Sequence, residues 1–318
     1  MRVTSSSISA DRGCCCRFCA AVCLLLAAVF PARAQRSLPL TRDHGHLYTE
    51  ALLQDSLPVR VMLESGIRFP LIDSALVWSN PGLFEPEKLD KPVRFRMAVG
   101  MNYVARYKLA PGLSVGGSRS LCDTYIVDMS RHRGDMLYPL NRFTTDSVAM
   151  PGIFGLDIAR GCLELLTEED LPGEGSGWMA CGMTRDEQSG MYCLQGSLAL
   201  VNDRGRRVAE PAELVVDLGN AMLLALFTYK PEVKKFVSRS RVPELDGRTA
   251  DGRRLPVIQP AEVIFMDAYA FRNQPVLLLE NRMRLPGHGF LGLRFFERFR
   301  VIFDFRRSRL WIAAPAAE

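Results

Sequence analysis

Histidine is scarce in this chain, with four in 318 residues. A Ser-His-Asp triad therefore has almost no candidates, and no G-x-S-x-G elbow is present to seat its nucleophile. No P-loop or G-x-G-x-x-G follows a strand, which removes the usual phosphate and dinucleotide cradles. The N-terminal apolar run, Phe18–Phe30, is well short of the roughly 20 residues that a membrane helix needs. A strong charge imbalance is also missing: 40 Lys and Arg stand against 35 Asp and Glu, a formal charge of +5. That balance gives no support to nucleic-acid binding. The Arg306–Arg309 run reads as a solvated edge between Phe305 and Leu310. His44-x-His46 puts two rings on one strand face, but no Cys or carboxylate cluster accompanies them. The sequence therefore implies no metal and no cofactor.

What is present begins with a leader. Arg2, Arg12 and Arg17 precede the Phe18–Phe30 run, and Pro31-Ala32-Arg33-Ala34 supplies an A-x-A cleavage site before Gln35. That order reads as a secretory signal peptide over residues 1–34, and so as an exported, periplasmic or extracellular protein with no membrane span after cleavage. Val22 before Cys23 is not a lipidation signal. Removal of four Arg and one Asp lowers the formal charge from +5 to +2, and it removes Cys14, Cys15, Cys16, Cys19 and Cys23. Cys122, Cys162, Cys181 and Cys193 remain, an even number entering an oxidising compartment.

Strand signals dominate the mature chain. Leu57–Leu63, Val93–Val99, Leu121–Val127, Glu213–Val216, Val276–Glu280 and Arg300–Phe305 are short apolar runs, mostly bounded by turn residues. Helix candidates are few: Leu71–Trp78, Leu156–Cys162, Lys230–Ser238 and Arg294–Phe299. The Pro172–Gly177 segment is the strongest linker signal, giving a first lobe over residues 35–171, a linker over 172–181 and a second lobe over 182–318. The halves resemble each other. Val61-Met62-Leu63-Glu64-Ser65-Gly66 matches Leu214-Val215-Val216-Asp217-Leu218-Gly219, and Gly152-Ile153-Phe154-Gly155-Leu156 matches Gly289-Phe290-Leu291-Gly292-Leu293.

An apolar strand, an acid-Ser/Thr-Gly turn and a later apolar-apolar-Gly before a short helix resemble the aspartic proteases. Two copies on one chain are similar to the fused, pepsin-type arrangement of two retropepsin-like lobes. The resemblance spans roughly Leu47 to Ile312 and implies a mainly β, bilobal acid-protease fold with a few short helices. It also implies Glu64 and Asp217 as the catalytic pair, supported by Ser65, Gly66, Leu218 and Gly219, with Gly155 and Gly292 beneath the two loops. Two carboxyls in contact cannot both ionise, so one serves as base and the other as acid. A hairpin over Val93–Leu109, turning near Gly100-Met101-Asn102, is the candidate flap, with Tyr103 available to substrate.

Two departures from the family stand out. Glu64 replaces the expected Asp, displacing the carboxylate by about one C–C bond, and Leu218 has no hydroxyl to tie the two loops. The implied function is peptide-bond hydrolysis on a polypeptide substrate, with activity reduced or lost. The alternative is a non-catalytic protein that holds a peptide ligand in the same cleft by strand addition. Cys181 and Cys193 flank a polar hairpin tip and are expected to form a disulfide, with Cys122 and Cys162 as a second pair or two buried thiols. The exported form should begin at Gln35; N-terminal mass analysis checks this, and an intact leader on the functional protein rules it out.

Overall fold

The computed structural model describes residues 37–313, apart from 98–101, 147, 174, 249–253 and 281–283. The chain is mainly β, and its strands fall into three hydrogen-bonded groups. The first belongs to the N-terminal half. There Leu57–Glu64 pairs antiparallel with His46–Leu53 and parallel with Met136–Pro139. Met136–Pro139 also pairs antiparallel with Leu71–Asp73, whose other neighbour is the parallel strand Thr124–Val127. The acid-bearing strand and the return strand thus share one partner running between them.

The C-terminal half repeats this arrangement. Arg207–Asp217 pairs antiparallel with Tyr192–Val201 and parallel with Gly289–Gly292. Gly289–Gly292 in turn pairs antiparallel with Leu224–Leu226, which lies parallel to Val276–Leu278. The correspondence extends to single hydrogen bonds. The Arg60 N–H donates to the Asp135 carboxylate, and the Glu213 N–H donates to His288 Nδ1; both pairs are 75 residues apart. The Asp135 and His288 N–H groups donate back to the Arg60 and Glu213 carbonyls, each at 2.7 Å.

A third sheet joins the halves. Ile153–Asp157 pairs antiparallel with Arg300–Asp304, and the register is symmetric about Gly155 opposite Ile302. Cys162–Leu166 and the start of Ser37–Asp43 extend one side; Arg309–Ala313 and Trp178–Arg185 extend the other. One apolar core runs through all three groups. Phe154, Phe303 and Phe305 are fully buried there, with Phe303 and Phe305 stacked at 5.5 Å. Alternation along Arg300–Asp304 does not hold, because both faces of this strand are covered.

Several expectations need correction. Gly155 does not lie beneath the Glu64 loop. It sits in the joining sheet, where a Cβ would stand 2.7 Å from Glu164 Oε2. Its bareness lets the Glu164 side chain cross the sheet to Arg300, 2.9 Å away. Leu156–Cys162 is not helical; it is a strand, a tight turn and the start of the next strand. Of the expected first helix only Ser74–Ser79 is helical, while Leu71–Asp73 joins the sheet. Trp178–Cys181, read as the end of a linker, already belongs to a strand. Arg306 is not solvated: its side chain is 10% exposed and is held by Asp146 at 2.8 Å and Glu168 at 3.3 Å.

The expected disulfide is absent as well, and Cys122, Cys162, Cys181 and Cys193 are all free thiols. Cys193 lies opposite Thr184, three residues along the strand from Cys181. That offset is about 10 Å, beyond the roughly 7 Å limit for bridging Cα atoms. Unfolding the chain without reductant should therefore expose all four thiols to an alkylating reagent, read by mass. A pair protected until reduction would contradict the structure.

Candidate active site

Glu64 ends one strand and Asp217 ends its counterpart, so each acid is carried into the junction behind a buried apolar run, Val61-Met62-Leu63 in one half and Leu214-Val215-Val216 in the other. Pro139 lies opposite Glu64 in the parallel register, and Gly292 lies opposite Asp217. The two turns interlock through their glycines. A methyl at Gly66 would overlap the Asp217 carboxylate, and a methyl at Gly219 would overlap the Glu64 carboxyl. Each acid therefore occupies the space that the opposite glycine leaves open. The carboxyl groups are within hydrogen-bonding reach of each other.

Burial and contact decide the protonation state. Glu64 is 7% exposed; burial raises its pKa well above the usual carboxylate range, and the Asp217 charge adds to the rise. Burial also pushes Asp217 up, to about 6, opposed by N–H groups of Gly219 and Asn220 and by the Glu64 carboxyl. The Gly219 N–H donates to Asp217 Oδ1 at 3.1 Å. One proton thus resides on the pair, held by Glu64 and directed at Asp217.

Ser65 ties the turns together. Its hydroxyl donates to the Val216 carbonyl at 2.9 Å and accepts from the Leu218 N–H at 3.0 Å. Leu218 occupies the matching position in the other turn and is fully buried in the core cluster. Its side chain adds apolar contact where a hydroxyl would have mirrored Ser65.

The hairpin proposed as a flap is longer than expected, running from Glu87–Arg96 to Asn102–Leu109 with a register shift between Lys88 and Val93. Gly100 and Met101 lie outside the described residues; Asn102 is exposed and Tyr103 is 7% exposed. The Tyr103 hydroxyl contacts His132 Nε2, and burial, with the Glu64 charge, raises the Tyr103 pKa. Beneath this hairpin a small apolar cluster separate from the main core gathers Tyr48, Met62, Leu71, Tyr103 and Leu137. Its counterpart in the other half gathers Cys193, Val215, Ala225, Leu277 and Phe290.

The structure therefore brings together Glu64, Ser65, Gly66, Asp217, Leu218, Gly219 and Gly292, with Tyr103 close by. It excludes Gly155, Cys181 and Cys193. Pro139, His132 and His46 belong to the site and were not found from sequence. The signal for Pro139 was the equal spacing of acid and crossing strand in the two halves. A search keyed on glycine passes over it. Nothing in the sequence ties the two histidines to the dyad. No protein-family model matches the chain, and no curated protein matches it either.

The raised acid pKa values link folding to pH. Asp217 titrates near 3.8 when unfolded and near 6 when folded, so its contribution is complete below about pH 4 and is lost as pH rises through 6. Thermal unfolding should show stability falling across that window, and Asp217→Asn should flatten the fall and exceed the parent at neutral pH. Parallel curves for parent and variant would refute this linkage.

Proposed function

We propose that the protein is an exported aspartic-type endopeptidase of the two-lobed acid-protease fold, with Glu64 and Asp217 as its carboxyl dyad. The observation that supports this most is the reciprocal packing of each acid against the glycine of the opposite loop. Two buried carboxyls forced into contact are a costly arrangement for stability alone and a useful one for proton transfer.

In this reading an extended polypeptide lies between the lobes, beneath the Glu87–Leu109 hairpin. Asp217, the ionised member, takes a proton from a water molecule as its oxygen attacks the scissile carbonyl carbon. The Glu64 proton passes to the carbonyl oxygen, giving a neutral gem-diol. Asp217 then delivers its proton to the amide nitrogen, the C–N bond breaks, and Glu64 recovers a proton from a diol hydroxyl. Atoms and protons balance, and the dyad ends as it began.

In this reading the raised pKa values support a working range toward neutrality. The acid limb should fall near the Asp217 value of about 6. The alkaline limb should report loss of the shared proton from Glu64. The test is incubation with an unfolded protein substrate across pH 3 to 9, with and without an inhibitor that mimics the gem-diol. Cleavage should be bell-shaped in pH, blocked by the inhibitor and lost in Asp217→Asn. Cleavage that survives Asp217→Asn places the chemistry elsewhere. Saturable peptide binding without any cleavage, by parent or by Glu64→Asp with Leu218→Thr, would instead support the peptide-holding alternative.

A further inference from the structure

Beyond the dyad, one titratable side chain from the N-terminal half reaches the Asp217 turn. The tight turn Asp43-His44-Gly45-His46 is left-handed at His44 and Gly45, with φ of 47° and 85°. It comes against the opposite half: a Cβ at Gly45 would stand 3.0 Å from the Ala221 Cβ. His46 follows at the start of its strand, partly buried, and the Gly219 backbone acts on its ring as an acceptor. Its Nδ1 is buried with no hydrogen-bond partner. That leaves Nε2 as the nitrogen facing Gly219, and an unprotonated Nδ1 suits a site with no acceptor for it.

We propose that His46 is a positioning residue for the Glu64–Asp217 pair, its neutral ring bracing the Gly219 turn from the opposite half in place of the hydroxyl missing at Leu218. The proposal rests on the dyad reading for its consequence in catalysis, although the brace itself does not depend on it. Gly219 is the glycine against which Glu64 packs, so a shift of this turn moves both acids at once. Protonation would add a donor at Nδ1 with nothing to receive it. It would also add a charge among groups that already act on the ring: Asp43 and His44 on its own hairpin, and His132 on the loop before Met136–Pro139. Asp43 is engaged by Arg60 at 3.1 Å and Arg133 at 3.4 Å, so it is not a free counter-ion. Burial, opposed by Gly219 and Asp43, holds His46 below its ordinary pKa. The brace is therefore present above the unfolded histidine value and is lost as pH falls through the folded one.

His46→Gln keeps a neutral donor that cannot titrate, whereas His46→Ala removes the brace. On the peptide substrate His46→Ala should lower kcat about tenfold or more with KM little changed. His46→Gln should retain activity, and its acid limb should fall with one proton where the parent falls with two. A Gln variant as impaired as Ala, or one that keeps the parent's two-proton limb, overturns the proposal. A second arm needs no cleavage: a denaturant double-mutant cycle of His46→Ala with Leu218→Ser. Replacement of one tie by another predicts that Ser at 218 recovers stability lost at 46; strict additivity refutes the brace. Coupling in a chain that cuts nothing would sink the peptidase reading and leave the brace standing. Additivity in a chain that cuts would do the reverse.

Discussion

Everything at the centre of this molecule depends on forcing two carboxyl groups into contact out of water. Neither acid could be held there singly without a large desolvation cost. Together they reduce it by sharing a proton, and the shared proton requires both turns to arrive at one point. That is why both turns carry a bare glycine beside the opposite acid, and why a side chain at either position would separate the pair. The remainder of the fold can be understood as the means of delivering those two turns.

Delivery is reciprocal. The first hairpin of each half reaches across to the other half's site. The Asp43–His46 turn meets the Gly219–Ala221 segment, while the Asp186–Gly190 turn meets the residues that follow Pro139. There Asn141 Nδ2 donates to the Gly190 carbonyl at 3.1 Å, and Arg142 donates to the Ser189 carbonyl at 2.7 Å. Burial holds the Arg142 pKa below its ordinary value, and a Cβ at Gly190 would overlap the guanidinium. Both contacts lie next to an acid-bearing turn or its crossing strand, so the halves constrain each other near the dyad as well as through the joining sheet.

The parts of this arrangement that were legible in the sequence were those written in residue type. Apolar strands ending in Glu64 and Asp217 announced buried acids, and the repeated acid-x-Gly turn announced duplication. The motif Gly289–Leu293 led to the right strand, Gly289–Gly292, which runs parallel to the acid-bearing strand with Gly292 opposite Asp217. Its partner was misplaced because the first half carries Pro139 where a glycine was sought. Gly152–Leu156 offered a closer match in letters and a worse one in spacing. Leu156–Cys162 looked helical because its turn signals are slight: the Asp157 carboxylate accepts from the Arg160 N–H at 2.9 Å, and Gly161 takes a left-handed φ of 66°. His46 and His132 were invisible for another reason. Their importance comes from the turn that carries His46 to Gly219 and from the loop that carries His132 to Tyr103, and no local pattern encodes either approach.

The departures from symmetry are spatially grouped, and that grouping carries information. At Gly292 there is no room for a side chain, since a Cβ would stand 2.6 Å from the Asn220 carbonyl oxygen. The corresponding position in the first half holds the ring of Pro139 with ordinary extended backbone, φ −73°. Proline has no N–H to match the one that Gly292 donates to the Leu223 carbonyl at 2.9 Å, so this tie between crossing strand and turn exists in the second half and has no Pro139 equivalent. Glu64 and Pro139 are thus two departures that stand opposite each other at one register position. Leu218 is a departure of another kind, exchanging a polar tie between the turns for apolar burial. It leaves Ser65 as the one side chain that both donates to and accepts from the opposite turn, among the described residues.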